Sequence, residues 1–299
     1  MSEAKIHTPY DGGSKLFQIG LKPLDLTAWI DVDHKLRTYL DEKDRVAHLF
    51  PQEIFAAEPE TLGSQSEILH LLADHLPKQF PHVYQRLGPQ IDILPAFRRV
   101  RLDAPFLPPL LIAAGLVQED LVLMRKGPEG WKVAAGALAF PSSWRLREKL
   151  GLPMHQVHGP VPGFTEGTRN AGLIERMFDN LRSDMPVIRW NWSLYGDDVL
   201  HHPESGNPKA RRFGDTETAE SVFFRVERQT LRRLAVSGDI LFTIRIYIDP
   251  IATLEKQPNA AAIARSLMEQ ITALSDAELD YKGLTVERDR LLARLARIT

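Results

Sequence analysis

The sequence predicts an α+β protein in which helices cover a mostly antiparallel sheet of five strands. Three observations carry this expectation: helical periodicity before residue 107 and after residue 251, strand-like segments between them, and turn-type sequences where neighbouring strands would join. With 299 residues and 43% hydrophobic content there is enough apolar material for a substantial core, as one large domain or two. The boundaries read as a helical cap region over 1–107, a sheet-bearing core over 108–250 and helices over 251–299, forming one unit.

Ser66 to Leu76 is the clearest early helix, with Ile68, Leu69, Leu71, Leu72 and Leu76 on one face. Pro108-Pro109 opens a second, apolar helix through Leu110, Leu111, Ala114 and Leu116 that leads to Glu119 and Asp120. Asp120–Lys126 and Trp131–Phe140 then read as strands joined by Gly127-Pro128-Glu129-Gly130. A short helix through Trp144, Leu146 and Lys149 ends at Gly151, and His155 and His158 follow in a loop.

Thr168 caps a helix to Arg182, with Leu173, Ile174, Met177, Phe178 and Leu181 at three- and four-residue spacing. Val187–Tyr195 is a third strand. Val222–Leu234 and Asp239–Asp249 form a hairpin about Ser237-Gly238, in which Ile240, Phe242, Ile244, Ile246 and Ile248 make one wholly apolar face. Gly196–Thr218, rich in Gly, Pro, Asp and Arg, reads as a long loop that is either mobile or a lid. The charged tail carries two helical segments. Two strands, a helical connection and three strands is also the order of a PAS domain.

The charge balance, 37 basic against 39 acidic residues, argues against a cationic surface for nucleic acid. The first fifteen residues lack the features of a secretory signal and no run of about 20 apolar residues exists to span a bilayer, so the expected location is the cytoplasm. Without cysteine, disulfides, thiolate-bound zinc, iron–sulfur clusters and thiolate-ligated haem are excluded.

Of the ten histidines, His34, His48, His70, His75 and His82 lie among charged neighbours in the helical region, and the adjacent His201 and His202 are poorly placed to share a metal. His155 and His158 stand before Gly159-Pro160-Val161-Pro162-Gly163, whose prolines fix φ and whose glycines allow close approach. Two readings fit: a structural turn, or an imidazole held for a metal. Two histidines three apart are too few for zinc, whereas one suffices for haem. On Val222–Leu234, Arg225, Glu227 and Gln229 alternate with Arg228, leaving open a solvated edge strand or arginines that bind carboxylates. Asn191 lies between Trp190 and Trp192 on the strand that also carries Arg189. Glu119 either makes a cap or salt bridge or meets a cationic amine.

Seven short motifs in order resemble the haem-dependent oxidative N-demethylase α-subunit family. They are Ile19-Gly20-Leu21-Lys22-Pro23-Leu24 with Trp29, Gln118-Glu119-Asp120-Leu121, Phe140-Pro141-Ser142-Ser143-Trp144, Glu148-Lys149-Leu150-Gly151, Val157-His158-Gly159-Pro160-Val161-Pro162-Gly163, Arg189-Trp190-Asn191-Trp192, and Glu227-Arg228-Gln229-Thr230-Leu231. The resemblance implies a haem-binding PAS-like fold and oxygen-dependent demethylation of dimethylamine to methylamine and formaldehyde. Electrons would come from NADPH through a flavin and iron–sulfur reductase carried on other chains, since this chain holds neither cysteines nor a Gly-x-Gly-x-x-Gly motif.

The expectation from the resemblance is haem b on His158, with His155 as the fallback ligand. Arg189, Asn191, Arg228 and Arg245 would contact the cofactor, and Glu119 or Glu227 would pair with the amine. The alternatives are a PAS-type haem or small-molecule sensor, or a haem-free structural subunit.

Overall fold

A computed structural model describes residues 6–14, 16–207 and 210–299. Among them, ten strands make two sheets. The large sheet has seven strands in the order β1-β8-β9-β10-β6-β7-β2: β1 Lys22–Pro23, β2 Phe55–Ala57, β6 Asp120–Gly127, β7 Gly130–Ala137, β8 Val187–Tyr195, β9 Phe223–Arg233 and β10 Ile240–Pro250. The small sheet is β3 Tyr84–Leu87, β4 Gln90–Ile93 and β5 Arg98–Arg101. The helices are α1 Leu36–Leu49, α2 Leu62–Gln79, α3 Pro109–Ala114, α4 Leu146–Lys149, α5 Met154–Val157, α6 Arg169–Asn180, α7 Ile251–Glu255, α8 Ala260–Thr272, α9 Asp276–Lys282 and α10 Arg288–Ala296.

The mixed α+β class holds, and the five segments expected as strands are the long central ones. Every pairing among them is antiparallel. Two corrections concern the ends. The sheet has seven strands because two- and three-residue segments of the N-terminal region, β1 and β2, pair on its edges with β8 and β7. That region is also not purely helical, since it carries β3–β5. Strands this short show too little alternation to be recognised, and they exist because neighbouring chain satisfies their backbone groups.

The β9–β10 hairpin runs in unbroken register from Ile240↔Arg233 to Pro250↔Phe223, closed by Gly238 at φ +74°. Its two faces are packed differently. On one face, Trp190, Arg228 and Arg245 stand side by side on adjacent strands, and Thr230 and Thr243 share a hydroxyl hydrogen bond of 2.6 Å. The N-terminal region covers this first face by packing Trp29, Leu69 and Leu72 in one cluster with Leu121, Leu123 and Leu241, and the C-terminal helices cover its far end with Leu267 and Leu291, clustered with Trp192 and Phe224. On the second face, Asn191, Glu227 and Ile246 align, and α4 to α6 pack against Ile244 and Ile246 through Leu146, Met154, Ile174 and Phe178. Glycine at 136 lets α4 sit tightly, because a Cβ there would lie 2.6 Å from Leu146 Cδ1.

The described part of the 196–218 loop is anchored. Arg212 donates to the Leu194 carbonyl at 2.8 Å, Phe213 is fully buried, and the buried carboxylate of Glu287 accepts the backbone N–H groups of Arg212 and Phe213. The loop's polar composition suggested mobility; the bonds that hold it come from the adjoining β8 and from Glu287 at the N-terminus of α10, 75 residues from Arg212. At its start a Cβ on Gly196 would lie 2.0 Å from the Arg212 carbonyl oxygen. Gly196→Ala is therefore expected to destabilise the protein by about 1–3 kcal/mol in urea unfolding. An unchanged midpoint would show that the loop yields freely.

Candidate functional site

The sheet's two faces divide the residues singled out in the sequence. On the first face they are tied to the chain itself. Arg228 donates to the Trp29 carbonyl at 3.0 Å and to the Ala28 carbonyl. Arg245, with no exposed side-chain surface, donates to Asp33 at 2.9 Å and to the Ile246 carbonyl at 2.6 Å, and lies 4.1 Å from the Tyr39 ring centre. Glu119, fully buried, accepts the Asp31 N–H at 3.0 Å through Oε1. Burial pushes its carboxyl up, against the downward pull of Arg245. Asp31 is held well below the usual carboxylate range by His7 and, despite its burial, by the Tyr247 hydroxyl.

This network is a structural clasp. It fastens residues 28–33 over the sheet, and Lys43 completes it by donating to the carbonyls of Ala114, Val117 and Glu119. Burial lowers the Lys43 pKa to about 8, against the pull of Asp120 and Glu119. Arg228, Arg245 and Glu119 thus stand on the opposite side of the sheet from His158, with protein partners, and the structure does not bring them together with it.

Arg225 explains the Phe140-Pro141-Ser142-Ser143 motif. It is 1% exposed and donates to Ser142 Oγ and to the carbonyls of Phe140, Pro141, Val199 and Leu200, all at 2.8–3.0 Å. Asp120 takes the N–H groups of Ala139 and Phe140 at 2.9 and 2.8 Å. The solvated-edge explanation of these arginines fails, because β9 is a central strand and its arginines meet backbone carbonyls. The consequence is positional: these bonds fix the turn from which α4, α5 and α6 fold across the second face.

His158 belongs to that layer. It caps the one-turn helix α5, where a loop was expected, and its backbone N–H reaches the Met154 carbonyl at 3.0 Å. Its Nδ1 is buried without a hydrogen-bond partner. Burial, aided by the charge of Arg189, pushes the imidazole down to about 4 against a smaller upward pull from the Met154 carbonyl, so the ring is neutral near pH 7. His155, by contrast, faces the carboxylate of Glu166 at 4.0 Å.

Around His158 the second face carries Arg189, Asn191, Glu227 and Gln229. Arg189 donates to the Gln18 carbonyl at 3.1 Å and its Nε is buried without a partner. Gln229 fixes Glu227 by donating to Oε2 at 2.6 Å. Residues 17–21 cross here as a strap, with Phe17, Ile19 and Leu21 packed on the core. One side chain that sequence reasoning missed closes the edge of β8: Lys282 from α9, beside Tyr281, whose ring meets Phe17 of the strap. Nothing in a charged C-terminal helix distinguishes Lys282, since its role depends on a strand 90 residues away.

Among the described residues, no group of three His, Asp or Glu could jointly hold a metal, and no helix is long and apolar enough to cross a membrane. The second face thus carries a half-buried imidazole with an unpartnered Nδ1 near Arg189 and Glu227. The model of the family described as haem-dependent oxidative N-demethylase, alpha subunit-like, matches residues 20–292, and the chain belongs to this family.

The imidazole gives a direct test of this environment. Its folded pKa of about 4 lies below the unfolded value near ~6.5, so the unfolded chain takes up the proton first as pH falls. The contribution of His158 to stability is present above pH 6.5 and is lost progressively towards pH 4. Between pH 7.5 and 4.5 the wild type is expected to lose about 1–3 kcal/mol more than His158→Gln in denaturant unfolding. Parallel curves would place His158 in solvent.

Proposed function

We propose that the chain is the haem-binding, catalytic subunit of an oxidative N-demethylase acting on a small secondary amine such as dimethylamine, with His158 as the iron ligand. The observation that carries this reading is the half-buried, neutral imidazole whose buried Nδ1 has no partner, beside an arginine with an equally unpartnered Nε. A neutral imidazole is the form that ligates iron, and one such ligand suffices for haem. His155 is the weaker choice because a carboxylate already faces it. We read the five long strands as a PAS-type core, supported by their order of two, a helical connection, then three.

The donors fit a haem, while the crevice lined by Met154, His155, His158, Phe164, Ala171 and Ile174 is closed, without room for even a water molecule. Ligand pockets are typically ~300–1,000 Å³, so loading requires the α5–α6 connection to move outward. That connection is lightly held by side chains, chiefly Lys149 to the Val157 carbonyl at 3.2 Å and Asn170 to the Gly163 carbonyl at 3.1 Å.

When bound, the haem would supply the redox chemistry with dioxygen. The chain's own residues then have separate tasks. Glu227, held in place by Gln229, pairs with the ammonium form of the substrate on the same face. Asn191, in register with Glu227, offers an amide for orientation. Electrons come from a separate reductase, because a chain with no cysteine supplies no iron–sulfur cluster.

Addition of haem to the purified chain is expected to give a Soret band that shifts with dithionite and carbon monoxide. With an artificial electron donor and dioxygen, the loaded protein is expected to release formaldehyde from dimethylamine. Gas binding without turnover would instead make it a sensor, and absence of a Soret band would leave it a structural subunit.

A further inference from the structure

Two cations at the second face, Arg189 and Lys282, have unused donors. Arg189 spends one N–H on the Gln18 carbonyl at 3.1 Å and leaves Nε buried and unpartnered. Lys282, the last residue of α9, reaches around the edge of β8 and donates to the Trp192 carbonyl and to Ser193 Oγ, both at 3.0 Å. An ammonium has three hydrogens, so among the described residues one is left over. Its Nζ stands 5.6 Å from the ring centre of Phe17, which roofs it with the strap.

Both groups are crowded by protein and half-buried. Desolvation lowers both, Lys282 to about 8, with Glu227 pulling each upward and Arg189 pushing Lys282 down further. Among the described residues neither makes an ion pair within 4.0 Å, so Glu227 faces two cations without neutralising either at contact. Partly desolvated cations with free hydrogens are costly unless an anion meets them.

We propose that Arg189 and Lys282 form a two-point anchor for the paired carboxylates of the ligand held on the second face. The inference rests on the haem reading and names its anchors. Haem carries two carboxylate side chains on one edge; a planar guanidinium suits one and a point-charge ammonium the other. Arg228 and Arg245 have no such role, being turned to the other face and bonded to carbonyls and Asp33. Because Lys282 belongs to α9, ligand binding also fastens the C-terminal helices to the sheet.

The test uses the full chain with metal-free protoporphyrin IX and its dimethyl ester, followed by tryptophan quenching, which reads the anchors without iron ligation. The free acid is expected to bind at least roughly tenfold more tightly than the ester. Lys282→Met and Arg189→Gln should each reduce that preference about tenfold while changing ester binding by less than about twofold, and Lys282→Arg should retain it. Equal binding of acid and ester by the wild type overturns the inference, as does a variant that weakens both ligands alike, since that marks a structural role. A preserved acid preference with no histidine-type haem spectrum would overturn the ligand reading and leave the anchor standing.

Discussion

The central strand β9 carries buried arginine on both faces, and the fold follows from satisfying them. Arg225 and Arg228 are three residues apart, so alternation sends them to opposite sides of the sheet. Removing such a cation from water is unfavourable unless its hydrogens find acceptors. The chain provides carbonyls: Phe140, Pro141, Val199 and Leu200 on one side, Ala28 and Trp29 on the other. Each arginine thereby selects which segment covers its face.

Two different surfaces result. The first face is closed by a dense set of hydrogen bonds and ion pairs from residues 28–33 and α1, leaving little space for a ligand. The second is closed by short helices on a turn that Arg225 and Asp120 hold, and the segment bearing His158 beyond that turn has few side-chain tethers of its own. A rigid base with a lightly held cover suits a site that must open to admit a large planar ligand. Buried atoms without partners occur on both faces, Arg245 Nε and Glu119 Oε2 on the first, His158 Nδ1 and Arg189 Nε on the second, but only the second pair lies under the lightly tethered cover.

Much of this was legible in the sequence. The β9–β10 hairpin declares itself through the alternation from Ile240 to Ile248 and a Ser-Gly turn, and the α6 cap is visible in Thr168, whose hydroxyl accepts the Ala171 N–H at 3.3 Å. Alternation grouped Arg189 with Asn191 and Arg225 with Glu227 and Gln229, each on its own strand; that both sets share one face follows from the β8–β9 pairing. The rest depended on distant partners. Arg228 and Arg245 share the periodicity of Arg189 shifted by one register step, and only the acceptors that arrive about 200 residues away distinguish a clasp from a ligand anchor. The 196–218 loop has the composition of a mobile segment yet is pinned by Glu287. Lys282 has no local signal at all.

The central claim is that His158 is the group on which the second face is organised to hold a cofactor iron. The visible spectrum of the haem-reconstituted His158→Ala protein, recorded beside wild type and His155→Ala, tests it most directly. Loss of the histidine-type spectrum in His158→Ala alone, with His155→Ala matching wild type, is the expected result. An unchanged spectrum in His158→Ala, or its loss only in His155→Ala, would contradict it.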